Sequence, residues 1–338
     1  MYNRTLTGSV RTLEHDSTAL KGNPLGDPHI RRFPVYLPPG YDESGEHYPV
    51  IYALAGFTGS GLNMPNFAVW DESLPEQIDD LIVTGSCPPV IVVMPDCFTK
   101  LGGSQYLDSP LTGAYQTYLT NELVPFIDAT LRTIPDASAR GVIGKSSGGF
   151  GALTLGMRHP HLFAALACHS GDMYFEYCYL RDFPKAVDAL NQAGGVEPFL
   201  AHFAEATAKG PLIPTLNIIA MAAAYARENA TTIELPFTLP TGELQPEVWA
   251  RWLQFDPVRL VASHAEALKG LKLLYIDVGE RDEYALHHGA RILARRLEKL
   301  GVPFTFEEHP GGHFGINHRY KVSLQAVATA LAGSDTGR

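Results

Sequence analysis

Short apolar runs that end at turn residues alternate along the chain with longer amphipathic stretches. The runs PVIYALAG (49–56) and PVIVVMPD (89–96) are almost wholly apolar, which is typical of central strands buried on both faces of a sheet. Similar runs recur at 141–144, 162–171 and 271–279. The patterns at 117–133 and 283–301 have the spacing of amphipathic helices. This alternation predicts an α/β fold with a mostly parallel central sheet and helices on both faces.

One long segment interrupts this alternation. Residues 173–256 contain no pattern typical of a central strand, and helix-like stretches occupy most of the segment. We therefore expect a core formed by residues 1–172 and 257–338, with 173–256 as a mostly helical insertion or cap. The insertion is expected either to cover an active site or to act as a dimerisation arm, so a homodimer through it is compatible with the pattern.

Composition and charge narrow the class of protein. The 338 residues are 45% hydrophobic, enough apolar material for a substantial core. A formal net charge of −10 argues against a nucleic-acid or anionic-membrane partner. The four cysteines show no CxxC spacing, which disfavours a disulfide framework or a zinc site. The N-terminus lacks the apolar region of a secretory signal, so we expect a cytoplasmic protein.

The stretch GKSSGG (144–149) is compatible with two motifs. Its first half resembles the end of a phosphate-binding P-loop, but that motif requires glycine at position 139, which is Ala139. The apolar residues Val142 and Ile143 also run directly into Gly144, leaving no room for a phosphate-binding loop. A P-loop is therefore disfavoured.

The same stretch matches the G-x-S-x-G nucleophile elbow, in which a serine occupies a strained turn between a strand and a helix. Gly144 and Gly148 supply the small residues that this turn requires on each side of Ser146. Centring the motif on Ser147 would require glycine at position 145, which is lysine. Ser146 is therefore the candidate catalytic nucleophile.

Partners for this serine follow in the chain order Ser, Asp, His that α/β-hydrolases use. Asp282 lies just beyond the apolar run 271–279, and His313 lies in the glycine-flanked loop PGGHFG. We expect His313 to accept the proton of Ser146 and Asp282 to orient the imidazole. The acidic residues that remain as alternatives for the orienting role are Asp277, Glu280, Glu283 and Asp172.

An oxyanion hole should combine the N–H that follows the nucleophile with one from the loop after an early strand. The first of these is the N–H of Ser147. The second loop is LAGFTGSG, where Phe57 follows Gly56 directly and is the best candidate. A reaction at such a site needs no metal and no other cofactor.

With these residues identified, the chain resembles the Putative esterase family of the α/β-hydrolase superfamily, which includes esterase D, enterochelin esterases, feruloyl esterases and mycolyltransferases. The matching segments lie between about residues 34 and 315: VYLPPGY, YALAGFTGS, VVMPD, GKSSGGFGAL, DVGERDEY and HPGGHFG. The resemblance implies hydrolysis of a small-molecule carboxylic ester through an acyl-enzyme, with Ser146, Asp282 and His313 as a catalytic triad. An acyltransferase or a thioesterase with the same triad is the alternative.

The lysine beside the nucleophile departs from the residues that such enzymes more often carry there. A positive charge on Lys145 would oppose the imidazolium that forms on His313 during catalysis. We therefore expect its ammonium to point away from the site and to pair with a carboxylate. An unpaired Lys145 that faces the cleft would instead indicate an anionic substrate.

Overall fold

The computed structural model describes residues 5–333 of the chain. At its centre lies an eight-stranded sheet. Numbered along the chain, its strands are β1 (Ser9–Asp16), β2 (Ile30–Leu37), β3 (Val50–Leu54), β4 (Ile91–Val93), β5 (Arg140–Lys145), β6 (Ala165–His169), β7 (Leu273–Gly279) and β8 (Thr305–His309). Two short hairpins, at 98–103 and 108–114, stand apart from it.

The strands lie in the order β1-β2-β4-β3-β5-β6-β7-β8 across the sheet. Strand β2 pairs antiparallel with both β1 and β4, and every other neighbouring pair is parallel. The prediction of a mostly parallel sheet is therefore confirmed. Because β3 and β5 to β8 run in one direction, the loops that follow them meet at one edge of the sheet, where ligands bind in such folds.

Nine helices of seven or more residues are found within residues 5–333. They are α1 (Leu74–Val83), α2 (Val124–Thr130), α3 (Ser147–Arg158), α4 (Phe183–Ala193), α5 (Val196–Glu205), α6 (Ile213–Ala224), α7 (Pro246–Leu253), α8 (Leu286–Leu300) and α9 (Arg319–Ala332). None of the described helices is long and apolar enough to cross a membrane.

Both faces of the sheet are buried. In β3, Tyr52 and Leu54 belong to a core cluster that includes residues of α3 and α8, whereas Ile51 and Ala53 belong to a second cluster with residues of α1 and α9. A strand whose alternate side chains enter two separate cores has no polar face. This explains the apolar runs in the sequence, and it confirms the predicted helices on both faces.

The chain between β6 and β7 is mostly helical and contains α4 to α7. Within the described residues it adds no strand to the central sheet, and its one β-type contact is an isolated bridge between Phe237 and Leu244. Trp252 and Tyr225 are fully buried there and pack edge to face, so they form part of a core. Whether residues 173–256 constitute a separate cap remains a prediction.

Helix α3 crosses strands β3 and β5 at very short range because of two glycines. A Cβ on Gly148 would lie 2.1 Å from the carbonyl oxygen of Leu54. A Cβ on Gly144 would lie 2.3 Å from the carbonyl oxygen of Gly148. Both distances are far below van der Waals contact, so any larger residue at either position must move backbone.

We predict that Gly148→Ala destabilises the protein, although alanine normally stabilises a helix more than glycine does. Because the clashing atom is a backbone oxygen, the expected loss is about 1–3 kcal/mol of unfolding free energy, typical of an overpacked core. Urea unfolding measures it. Gly45→Ala is the matched control because nothing lies within 4 Å of its added Cβ. Equal stabilities of the two variants would contradict the crossing described above.

Candidate active site

Ser146 occupies the sharp turn between β5 and α3. Its backbone has φ 58° and ψ −125°, a conformation that non-glycine residues rarely adopt. Two backbone hydrogen bonds hold the turn: the Ser146 N–H donates to the His169 carbonyl at 2.9 Å, and the Phe150 N–H donates to the Ser146 carbonyl at 2.9 Å. The sequence prediction of a strained turn at this serine agrees with these angles.

His313 and Asp282 come together from two neighbouring loops. His313 follows β8 and Asp282 follows β7, and Nδ1 of His313 lies 2.9 Å from Oδ2 of Asp282. Both residues are buried. Burial acts to raise the pKa of Asp282, but the hydrogen bond to His313 and the nearby backbone N–H groups outweigh it and hold the pKa below its usual range. Asp282 is therefore a carboxylate that fixes the orientation of the imidazole through its Nδ1 atom.

The two loops are held together by a close backbone approach and by a side-chain hydrogen bond to a backbone N–H. Gly279 has no space for a side chain, because a Cβ there would lie 2.4 Å from the carbonyl oxygen of Gly312. The carboxylate of Glu283 accepts a hydrogen bond from the His313 N–H at 2.5 Å. The backbone carbonyl of Glu283 accepts from Nη1 of Arg181 at 2.5 Å, which ties the loop to the helical segment after β6.

Two backbone N–H groups stand close to Ser146. The loop after β3 approaches the serine at Gly56, whose ideal Cβ position is 3.5 Å from the Ser146 Cβ. The next residue is Phe57, and Ser147 is the first residue of α3. Neither the Phe57 N–H nor the Ser147 N–H has an acceptor among residues 5–333. Both are therefore available to a ligand oxygen.

A cavity of about 400 Å³ joins these residues. Ser146, Ser147, His313 and Phe57 all line it, whereas Asp282 stands behind His313. The helical segment after β6 contributes Cys178, Tyr179, Asp182, Ile213, Pro214 and Asn217 to the lining. The structure thus brings the predicted site residues to one cavity, with a wall that comes from the 173–256 segment.

Asp277 belongs to a different arrangement below this cavity. Its carboxylate accepts from Arg319 Nε at 2.8 Å and lies 2.6 Å from Nδ1 of His169. The other ring nitrogen of His169 lies 2.7 Å from Oγ of Ser323, a residue of α9. Asp277, His169 and Ser323 are all buried, and none of them lines the cavity. Asp277 therefore has no contact with His313 through which to orient it.

The other acidic alternatives also have separate surroundings. The Glu280 side chain is exposed and lies beside Arg281. Asp172 lines the cavity, but its Oδ2 accepts from Gln105, Tyr179 and Ser147 rather than from His313. Burial raises the pKa of Asp172 above its usual range. Only Asp282, among the five acids considered, bonds the His313 ring.

Our expectation for Lys145 was wrong. No carboxylate within the described residues forms a hydrogen bond or ion pair with its ammonium, although the residue is half-buried. The two acids close enough to influence it, Asp282 and Glu283, are already bonded to His313. Lys145 instead lines the cavity, with Nζ 5.8 Å from the centre of the Phe314 ring.

Two parts of the site had little signal in the sequence. The role of Glu283 depends on its contact with the His313 backbone, and such a contact follows from loop geometry alone. Ile213, Pro214 and Asn217 lie at the start of the apolar stretch IPTLNIIAMAAA. The pattern of this stretch is typical of a buried helix and does not indicate a cavity. Asn217 is one of two polar residues in that stretch, and it is half-buried, whereas the other, Thr215, is buried.

The sheet order, the turn at Ser146 and the loops at its edge define an α/β-hydrolase. A family profile described as "Putative esterase" matches residues 28–314, so the chain belongs to this family. Resemblance to the same family was predicted from the motifs, and the match confirms that prediction.

Individual relatives agree with this placement. Esterase Rv1288 of Mycobacterium tuberculosis is 25% identical over 308 residues, which is 90% of this chain and 57% of that protein. The chain therefore spans little more than half the length of this relative. A ferulic acid esterase structure aligns with a TM-score of 0.61 at 20% identity, over 97% of this chain and 99% of the other.

A second structure, the fluorophosphonate-binding serine hydrolase FphF of Staphylococcus aureus, also aligns with a TM-score of 0.61. Its identity is 14%, and the alignment covers 95% of this chain and 98% of that one. Likeness at this level of identity shows a shared fold.

We predict that Asp277→Asn lowers the stability of the protein. The change leaves Arg319 and His169 without their buried anion, for an expected loss of about 3 kcal/mol. Burial raises the pKa of Asp277, but His169 and Arg319 lower it more, so the folded-state pKa lies below the unfolded value of about 3.9.

Asp277 therefore contributes its full stability above about pH 4, and that contribution is lost as the pH falls through the folded-state pKa. Urea unfolding of the wild type and the Asn variant at several pH values measures the difference between them, which should shrink below about pH 4. A difference that grows in acid would contradict this assignment.

Proposed function

We propose that the protein is a serine carboxylic-ester hydrolase in which Ser146 is the nucleophile, His313 the general base and Asp282 the residue that orients His313. The observation that carries the proposal is the 2.9 Å bond between His313 and Asp282 at the cavity that Ser146 also lines. An imidazole whose Nδ1 faces a carboxylate has Nε2 left to accept a proton. Membership of the esterase family supports the same chemistry.

In the first step, Oγ of Ser146 attacks the ester carbonyl while Nε2 of His313 accepts the serine proton. The carbonyl oxygen becomes an oxyanion, and the free N–H groups of Phe57 and Ser147 donate to it. His313 then returns the proton to the departing alcohol oxygen. The products of this step are an acyl-enzyme ester on Ser146 and the free alcohol.

In the second step, water replaces the alcohol. His313 removes a proton from the water as it attacks the acyl-enzyme carbonyl, and the same N–H groups stabilise the second oxyanion. As the intermediate collapses, His313 returns that proton to Oγ of Ser146, which releases the carboxylic acid and regenerates the serine. Asp282 remains ionised throughout, in keeping with its lowered pKa, and stabilises the imidazolium in both steps.

Ser146→Ala should abolish hydrolysis of 4-nitrophenyl acetate and labelling by a fluorophosphonate probe, because both require the serine oxygen. Initial rates and labelling intensity are measured, and circular dichroism checks that the variant is folded. The matched control is Ser263→Ala, because Ser263 is exposed and does not line the cavity. Hydrolysis at the wild-type rate by folded Ser146→Ala protein would refute the proposal.

Asp282→Asn should reduce kcat by about 10³- to 10⁴-fold, since an amide can no longer hold the imidazole in the required tautomer or stabilise its charged form. Asp277→Asn is the comparison, because the same chemical change there affects a buried network outside the cavity. Steady-state kinetics at 25 °C measure the two effects, after circular dichroism has checked that both variants are folded. A larger loss of kcat for Asp277→Asn would assign the orienting role to Asp277.

Transfer of the acyl group to a second alcohol would use the same residues, and a thioesterase would differ only in the leaving group. Product analysis separates these reactions from ester hydrolysis. We expect free acid as the main product when the enzyme acts on an ester, with or without an added alcohol. A product that consists mainly of the new ester would identify a transferase.

A further inference from the structure

Lys145 is a cation that lines the cavity without an ion-pair partner among the described residues. It is the last residue of β5 and precedes Ser146 directly. Among the described residues that line the cavity, it is the one lysine or arginine. A positive charge in the lining of a substrate cavity acts on every substrate that enters.

The ammonium of Lys145 has lost part of its hydration without gaining a counter-ion. Burial lowers its pKa, and the carboxylates of Asp282 and Glu283 oppose this effect only from a distance. Both of those carboxylates are occupied by His313, one at the ring and the other at the backbone N–H. A partly buried charge is normally paired, because desolvation without a partner costs free energy.

The Phe314 ring lies beside this charge in the lining of the cavity. Nζ of Lys145 lies 5.8 Å from the ring centre, within the range of a cation–π contact. The Phe314 side chain is 62% exposed, and its ring centre lies 5.4 Å from that of His313. Lys145 and His313 therefore both face the same exposed ring, next to the reacting serine.

Acidic residues dominate the charge in the rest of the lining, which includes Glu72, Asp172 and Asp182. A negatively charged group on a substrate is repelled by these carboxylates and attracted by Lys145. The positively charged side chain available to such a group in the lining is Lys145, the residue directly before Ser146. Binding there would also neutralise Lys145, so that the imidazolium of His313 forms next to an ion pair and not next to a free cation.

We propose that Lys145 binds a carboxylate of the substrate, so that the preferred substrates are esters that carry a second, anionic group near the ester bond. This inference rests on the proposed ester hydrolysis and extends it to a class of substrate. Lys145 is then a specificity-determining residue. Its ammonium donates to the substrate carboxylate while Ser146 attacks the ester carbonyl.

Two matched pairs of substrates test the proposal on each side of the ester. In the first pair, 4-acetoxybenzoate carries a carboxylate on the leaving alcohol, and 4-acetoxybenzamide is its neutral isostere. In the second, mono-4-nitrophenyl adipate carries a carboxylate on the acyl chain, and 4-nitrophenyl hexanoate is neutral. The wild type should show a higher kcat/KM for the anionic member of at least one pair.

The decisive quantity is the ratio of kcat/KM within a pair, because a general loss of activity cancels in that ratio. Lys145→Met should lower the anionic-to-neutral ratio roughly 10- to 100-fold, as expected for the loss of one charged hydrogen bond. Most of this change should appear in KM, and Lys145→Arg should retain part of the preference. Lys299→Met, on the exposed surface of α8, is the control for the loss of one positive charge.

The outcomes separate this proposal from the function on which it rests. A wild type that hydrolyses the neutral esters but prefers them in both pairs would overturn the role of Lys145 and leave the ester hydrolase standing. The same holds if Lys145→Met keeps the wild-type ratio, since Lys145 would then only pack against Phe314. Failure of the wild type on all four esters, with no fluorophosphonate labelling, would count against the hydrolase itself.

Discussion

The crossing of helix α3 over strand β3 at Gly148 is the constraint on which the site depends. Because Gly148 has no side chain, the helix starts against the carbonyl of Leu54. The chain must then reverse within one residue, and Ser146 adopts its positive φ there. The same reversal places the free N–H of Ser147 near the loop that carries Phe57. One steric condition therefore positions the proposed nucleophile and both N–H groups that are proposed to donate to the oxyanion.

Two aspartate–histidine pairs occur at neighbouring depths of the fold. Asp282 and His313 border the cavity, whereas Asp277 and His169 are sealed beneath it, with Ser323 completing a similar chain of side chains. The carbonyl of His169 accepts the N–H of Ser146, so the lower pair helps to support the turn above it. The two pairs consist of the same types of side chain. They differ in that only the pair formed by Asp282 and His313 borders the cavity.

Much of the fold and the core of the site could be predicted from the sequence, because they depend on local patterns. Apolar runs indicated central strands since both faces of the sheet are covered, and the glycines around Ser146 indicated a close crossing. Lys145 could not be predicted, since its state depends on which acids His313 already occupies. The wall residue Asn217 was missed because a helix gives no sign of which turn faces a cavity.

The wall and the reacting groups come from different stretches of chain. Strand ends and their loops carry the proposed reacting groups, whereas the segment between β6 and β7 supplies part of the cavity wall, together with residues from 58–77. A change confined to residues 173–256 of that segment would alter six of the lining residues and leave the loops at the strand ends in place. Arg181 is the point that such an exchange must respect, because its bond to Glu283 joins the segment to the loop contacts of His313. A replacement segment would therefore need a donor to the Glu283 carbonyl at the place of Arg181.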